Sequence, residues 1–225
     1  MASAMRANGL VVGDRVAAII TNSFTAVTIA LATASIGGVF SSTATDMGTQ
    51  GILDRYRQIQ PKLVFAETEV LYAGKTIDLM PKVTEVIKDL SAKGLSRAIL
   101  LPSTLTGQEG PTSGLKNAVT LHEFMSTGTG EDLVFEQLPF NQPLFILYSF
   151  GTSGPPKCIV HSAGGVSLMA NRGEGHKTSR LGKDQNNGPK TLLSKFYYWD
   201  NGKITINPRP WGPRFLELKN SKLGW

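Results

Sequence analysis

Short apolar runs alternate with segments of helical period along most of this chain, and that alternation constrains its fold more than any other feature. RVAAII (residues 15–20), KLVFA (62–66), RAILL (97–101) and LFILY (144–148) read as buried strands, being brief, apolar and free of internal turn residues. Residues 39–41 read as a further short strand. Between the first two runs, Phe24, Val27, Leu31 and Ser35 fall at helical spacing, with small residues on the other faces. Asn22 or Ser23 can cap that helix, and Gly37-Gly38 stops it. A second helix is expected over 48–60, with Ile52, Tyr56 and Ile59 on one face, Asp54, Arg55 and Arg57 mostly off it, and Pro61 at its end. Asp46 is the expected cap. A third helix over 79–90 turns Val83, Val86, Ile87 and Leu90 inward, provided Pro81 falls in the first turn, where backbone donors lack partners anyway. Strands separated by amphipathic helices imply parallel pairing through helical crossovers. The expected fold is therefore α/β, with LFILY as a central strand. Residues 102–118, rich in Gly, Ser, Thr and Pro, read as a loop, and residues 121–128 as a short helix at most.

The pattern stops near residue 169. From Met169 onward there are eleven Lys/Arg against four Asp/Glu, which leaves twelve against thirteen before it. The net charge of +6 is therefore a property of the tail, which also holds all three tryptophans. Residues 171–190 are polar, Gly-rich and without period, and read as disordered. Residues 195–208 carry a hairpin signal around Asn201-Gly202, although an isolated hairpin is marginal in water. Such a tail can meet nucleic acid or acidic lipid by charge alone, but it holds no recognised nucleic-acid motif. The longest apolar-leaning run, 26–40, is too short and polar to be a membrane segment. The single cysteine, Cys158, rules out an internal disulfide framework and suggests a reducing compartment. The start of the chain has no apolar core of a signal peptide, so a cytoplasmic protein is expected.

Chemistry concentrates in residues 149–157, Ser-Phe-Gly-Thr-Ser-Gly-Pro-Pro-Lys, directly after LFILY. Glycines let the backbone approach an anion, and consecutive N–H groups can form a nest for it. The hydroxyls of Ser149, Thr152 and Ser153 add donors and Lys157 adds positive charge. Ligands of open parallel sheets also bind beyond the C-terminal strand ends. The stretch is not a Walker A loop, because Lys157 follows Pro156 and precedes Cys158, and no GxGxxG fingerprint is present. A plain surface turn between two strands is the alternative on composition alone. Cys158 reads as structural, and His161 as a hydrogen-bonding residue rather than a catalyst, because neither has an evident catalytic partner. The three histidines and one cysteine form no zinc spacing, and no metal site is expected.

The string YSFGTSGPPKCIVHS (148–162) resembles the loop of adenylate-forming enzymes, written roughly [ST]-S-G-T-T-G-x-P-K-G. PPKCIVHSAGG, together with ASIGGVFSSTATDMG (34–48) and ILDRYRQIQPKLVFAE (52–67), is most similar to the acetoacetyl-CoA synthetase branch of that family. The resemblance covers about residues 5–168. It implies the N-terminal part of a large adenylating domain, with a mostly parallel sheet and flanking helices, followed by an irregular basic tail. As domains, it implies a partial AMP-binding unit over 1–168 and a divergent, poorly ordered tail over 169–225. The implied reaction joins acetoacetate, ATP and coenzyme A into acetoacetyl-CoA, AMP and pyrophosphate, with Mg²⁺. In that scheme Ser149, Gly151, Thr152, Ser153, Gly154 and Lys157 hold the β- and γ-phosphates. Phe150 stands where the family usually has Ser, and Ser153 where it usually has Thr. The family's later Tyr-Gly-x-Thr-Glu segment, ribose-binding Asp and C-terminal catalytic lysine are not found in the chain. It therefore reads as a truncated ligase, inactive alone. The alternative is a non-catalytic remnant that binds nucleotide or a partner protein.

Overall fold

A computed structural model describes residues 1–149 and 154–167 in full, together with the backbone of 197–200 and 203–206. In chain order the elements are α1 (Ala2–Ala7), β1 (Arg15–Ile19), α2 (Phe24–Ser35), β2 (Val39–Thr43), α3 (Thr49–Ile59) and β3 (Leu63–Glu67). A small hairpin follows, β4 (Glu69–Tyr72) and β5 (Lys75–Asp78), and then α4 (Met80–Ser91), β6 (Arg97–Leu101), β7 (Ala118–Thr120) and α5 (Leu121–Ser126). The last elements are β8 (Pro143–Ser149), β9 (Lys157–Ser162), β10 (Tyr197–Asp200) and β11 (Lys203–Ile206). The main sheet runs β11-β10-β9-β8-β2-β1-β3-β6-β7. From β8 to β7 neighbouring strands are parallel, while β9, β10 and β11 pair antiparallel. The expected α/β architecture, mostly parallel with flanking helices, is the one observed.

The middle strands are apolar throughout because both of their faces are covered. In β1, Ala17 and Ile19 face one layer, while Val16 and Ala18 face the other. The same split separates Val64 and Ala66 from Leu63 and Phe65 in β3, and Ala98 and Leu100 from Ile99 and Leu101 in β6. The first layer is built on α3 and α4, through Ile52, Tyr56, Val83 and Ile87. The second holds α1, α2 and α5, through Met5, Ile29 and Phe124. Phe124 meets Phe65 edge-on, with ring centroids 5.5 Å apart, which docks α5 on the sheet.

Local signals explain the element ends. Ser23 caps α2 by accepting from the Ala26 amide. Gly37, at φ +78°, turns the chain out of that helix, and a Cβ there would lie 2.6 Å from Leu138 Cδ1. Pro81 sits in the first turn of α4, as required. A reciprocal Thr120–Glu123 capping box starts α5.

Several expectations need correction. Asp46 does not cap α3, because Gly48 occupies the cap position and no side chain bonds there. Arg55 is buried rather than lying on an outer face. On α2 the packed side holds Ile29, Ala32, Thr33 and Ser35, whereas Phe24, Val27 and Leu31 are exposed. The run LFILY lies inside the sheet, but Leu147 is exposed, so one face of β8 is only partly covered. Short helix α1, the β4–β5 hairpin and β7 are additional to the elements expected from the sequence. The hairpin around Asn201-Gly202 forms β10 and β11, with β10 extending the sheet at Val160 of β9. The expectation of disorder over 171–190 lies outside the described residues.

α3 is held at both ends of its buried face. The hydroxyl of Tyr56, fully buried, donates to the Ala18 carbonyl at 2.6 Å and lies 3.0 Å from Thr43 Oγ1. Burial raises its pKa well above the usual phenol range, so it stays a donor. On the outer side Arg57 clasps Asp89 of α4 at 2.6 and 3.0 Å. Tyr56→Phe should lower the unfolding free energy by about 1–2 kcal/mol, the usual cost of stranding a buried polar group; urea titration gives the value, and no change would contradict this account of the anchor. The Arg57 hydrogen bond pulls the Asp89 carboxyl down to about 2 from 3.8. A depressed folded-state pKa stabilises above the unfolded value and is lost as pH falls through the folded one. Asp89→Asn should therefore lower stability at neutral pH and flatten its decline below the ordinary carboxylate range; an unchanged profile of urea midpoint against pH would contradict the pairing.

Candidate functional site

The Gly-rich segment leaves the sheet at the C-terminal edge of its parallel strands, because β8 runs parallel to β2. Two other features occupy that edge. Connections on either side of the sheet diverge between β1 and β3, since α2 packs on one face and α4 on the other. That switch point is the usual ligand crevice of an open α/β sheet. Here Glu67, buried at the end of β3, accepts from the Thr21 hydroxyl at 2.7 Å and the Thr21 amide at 3.2 Å. Beside β8, the turn after β2 is gathered by Lys82, whose Nζ donates to the carbonyls of Thr45 (2.5 Å) and Met47 (3.1 Å).

β8 and β9 form an antiparallel pair around the segment, in which Tyr148 faces Cys158 and Ser149 faces Lys157. Alternation then separates their side chains. Tyr148 and Cys158 turn to the layer containing α3. Ser149 and Lys157 turn to the other side of the sheet, side by side at the mouth of the hairpin. Lys157 is exposed, and Gly154 adopts φ +100° with no neighbour within 4 Å of a Cβ built there. Ser149 and Lys157 are thus cross-strand neighbours at the end of the hairpin, and Gly154 lies three residues before Lys157. Gly151, Thr152 and Ser153 lie outside the described residues, as does Phe150.

On the other face of the hairpin, α3 holds both stems. The Tyr148 hydroxyl donates to the Arg55 carbonyl at 2.9 Å, and the Arg55 guanidinium stands 5.4 Å from the centre of the Tyr148 ring. Gln58 Nε2 donates to the Pro156 carbonyl at 2.9 Å, and Cys158 Sγ donates to Gln58 Oε1 at 3.2 Å. β8 is joined to β2 by Ser41 Oγ donating to the Ile146 carbonyl at 2.9 Å and by the edge-on Phe40–Phe145 rings. None of these supports was legible from the sequence. Arg55 and Gln58 lie three residues apart on one helix, but their partners come about ninety to a hundred residues later.

Burial pushes the Cys158 thiol up to about 11. This fits a structural cysteine rather than a nucleophile. Burial lowers the pKa of His161, and its ring has no hydrogen-bond partner among the described residues, contrary to the role expected of it. Among the described residues no group of three His, Cys, Asp or Glu is gathered as a metal site, and no helix is long and apolar enough to cross a membrane.

The sequence model of the AMP-binding enzyme family matches residues 1–203. The chain belongs to that family. Among individual members of the AMP-binding family, the acetoacetyl-CoA synthetase of Danio rerio is 48% identical over 172 residues, which are 75% of this chain and 25% of that protein. The acetoacetyl-CoA synthetase of Mus musculus is 48% identical over 171 residues, with the same shares. A solved acetoacetyl-CoA synthetase from Streptomyces lividans superposes with a TM-score of 0.68 at 36% identity, covering 77% of this chain and 25% of that one. The chain thus spans about a quarter of the length of these relatives.

At pH 8 Cys158 should be alkylated by iodoacetamide about a hundredfold more slowly in the folded chain than in urea, because the thiolate is the reactive form. Mass spectrometry of timed samples reads the rate, and equal rates would refute the buried, neutral thiol.

Proposed function

We propose that this chain carries the phosphate-binding part of an acetoacetate–CoA ligase and does not complete the reaction alone. The reading rests chiefly on one observation: strand register sets Ser149 beside Lys157 at the C-terminal sheet edge of a chain that is 48% identical, over 172 residues, to an acetoacetyl-CoA synthetase. Acetoacetate as the acid comes from those relatives. ATP and coenzyme A follow from the acyl-CoA synthetase reaction, in which an acyl-adenylate forms and the thiol then displaces AMP. Mg²⁺ enters with the nucleotide, since it favours substrate phosphates and water over an all-protein cage.

Within this scheme, Ser149, Gly151, Thr152, Ser153, Gly154 and Lys157 take the β- and γ-phosphates. The open approach at Gly154 suits an anion, and the exposed ammonium of Lys157 supplies the opposing charge. Residues 1–168 form the partial adenylating unit and residues 169–225 the divergent tail. This stretch spans about a quarter of the length of those relatives, and its inactivity alone is part of the proposal.

Calorimetric titration with Mg·ATP tests the binding claim. The expected result is saturable binding that Lys157→Ala weakens roughly ten- to a hundredfold, the value of a hydrogen bond to a charged group. No binding, or binding indifferent to Lys157, would refute it. Acetoacetate-dependent exchange of labelled pyrophosphate into ATP by the purified chain would refute the claim of inactivity.

A further inference from the structure

Gln58 is half-buried on α3 and touches the loop on both sides of Lys157. Its Nε2 holds the carbonyl of Pro156, the residue before Lys157, at 2.9 Å. Its Oε1 takes the Sγ–H of Cys158, the residue after it, at 3.2 Å. The same Nε2 also donates to the Asp54 carbonyl at 2.6 Å, one helical turn back, which fixes the rotamer of the amide. The amide orientation is set by this network, since an amide donor must face each carbonyl and the carbonyl oxygen must face the thiol.

We propose that Gln58 is a positioning residue for Lys157, fixing the first residues of β9 so that the ammonium is delivered to the mouth of the hairpin opposite Ser149. The inference rests on the phosphate-binding reading above and adds a residue to it. The mechanical argument is independent of the ligand. Lys157 opens β9, so the strand ladder restrains it from one side only, and the preceding residues are Gly154, Pro155 and Pro156. Pro156 has no amide hydrogen to offer the ladder. Its carbonyl is the remaining backbone handle, and Gln58 holds it. A tie on each side of one residue fixes its backbone direction, and a loop ligand group needs placement to about half an ångström to act.

Gln58→Met keeps the side-chain length and removes both ties. Two measurements on the full 225-residue chain decide the matter. The first is amide hydrogen exchange without ligand. Exchange at Lys157 and Cys158 should accelerate by about tenfold or more, while the amides of β1 and β3 stay protected, because local opening is independent of global unfolding. Unchanged exchange at these two amides, or an equal rise across β1 and β3, overturns the proposal whatever the nucleotide does.

The second is Mg·ATP titration. The variant should bind about tenfold more weakly, as misplaced ligand groups do, with a thermal midpoint close to that of the unsubstituted chain. Wild-type affinity in Gln58→Met, alongside a clear loss in Lys157→Ala, overturns the positioning role and leaves the phosphate reading standing. Absence of ATP binding by the unsubstituted chain overturns the phosphate reading itself, and the proposal falls with it. Cys158→Ala removes one tie and should give an intermediate increase in exchange at Lys157.

Discussion

Everything in this molecule depends on burying the middle strands on both faces. β1, β3 and β6 hold apolar residues at successive positions, and a strand alternates its side chains, so each must be covered twice. Parallel pairing meets that demand, because each crossover lays a helix on the sheet. α2 takes one side, and α3 and α4 take the other. With the layers so divided, all parallel strands end at one edge, and the loops that follow them are brought to a common rim. Ser149, the last residue of β8, lies on that rim because β8 joins the sheet in the same direction as β2.

β8 and β9 are held by their pairing with each other and by side-chain bonds from the helix below. Leu147 is exposed and only Ile146 of β8 is fully buried, so the hairpin gains little from burial on its open side. α3 supplies the rest. Its inner face is locked by Tyr56 to β1 and β2, its outer face by Arg57 to α4, and its remaining face grips Tyr148, Pro156 and Cys158. The helix thereby ties both stems of the hairpin to the core.

This division explains what the sequence revealed. Periodicity reports burial, so β1, β3, β6, α3 and α4 were legible, down to the four inward residues of α4. The loop was legible because its composition is unusual and its lysine follows a strand. The exposed stripe of α2 was ambiguous, because small residues such as Ala32 and Thr33 pack closely where larger ones are expected to. Arg55 and Gln58 were not legible at all. A polar residue on a helix looks solvent-facing until the strand that covers it is known, and that strand lies far along the chain. The Asp46 cap failed for a related reason. The turn after β2 is organised by Lys82, from α4, rather than by its own side chains.

The electrostatics of the hairpin stems complete the argument. Burial raises the pKa of both Tyr148 and Cys158, so each remains protonated and neutral at ordinary pH. Gln58 is neutral by nature. The supports of the loop therefore contribute hydrogen bonds without negative charge. Lys157 is exposed at the end of the hairpin, and the Arg55 guanidinium stands against the Tyr148 ring. A carboxylate in place of Gln58 would accept from Cys158 equally well, but it would repel the Pro156 carbonyl and set a negative charge beside Lys157. A neutral amide ties both sides of Lys157 while leaving its positive field intact.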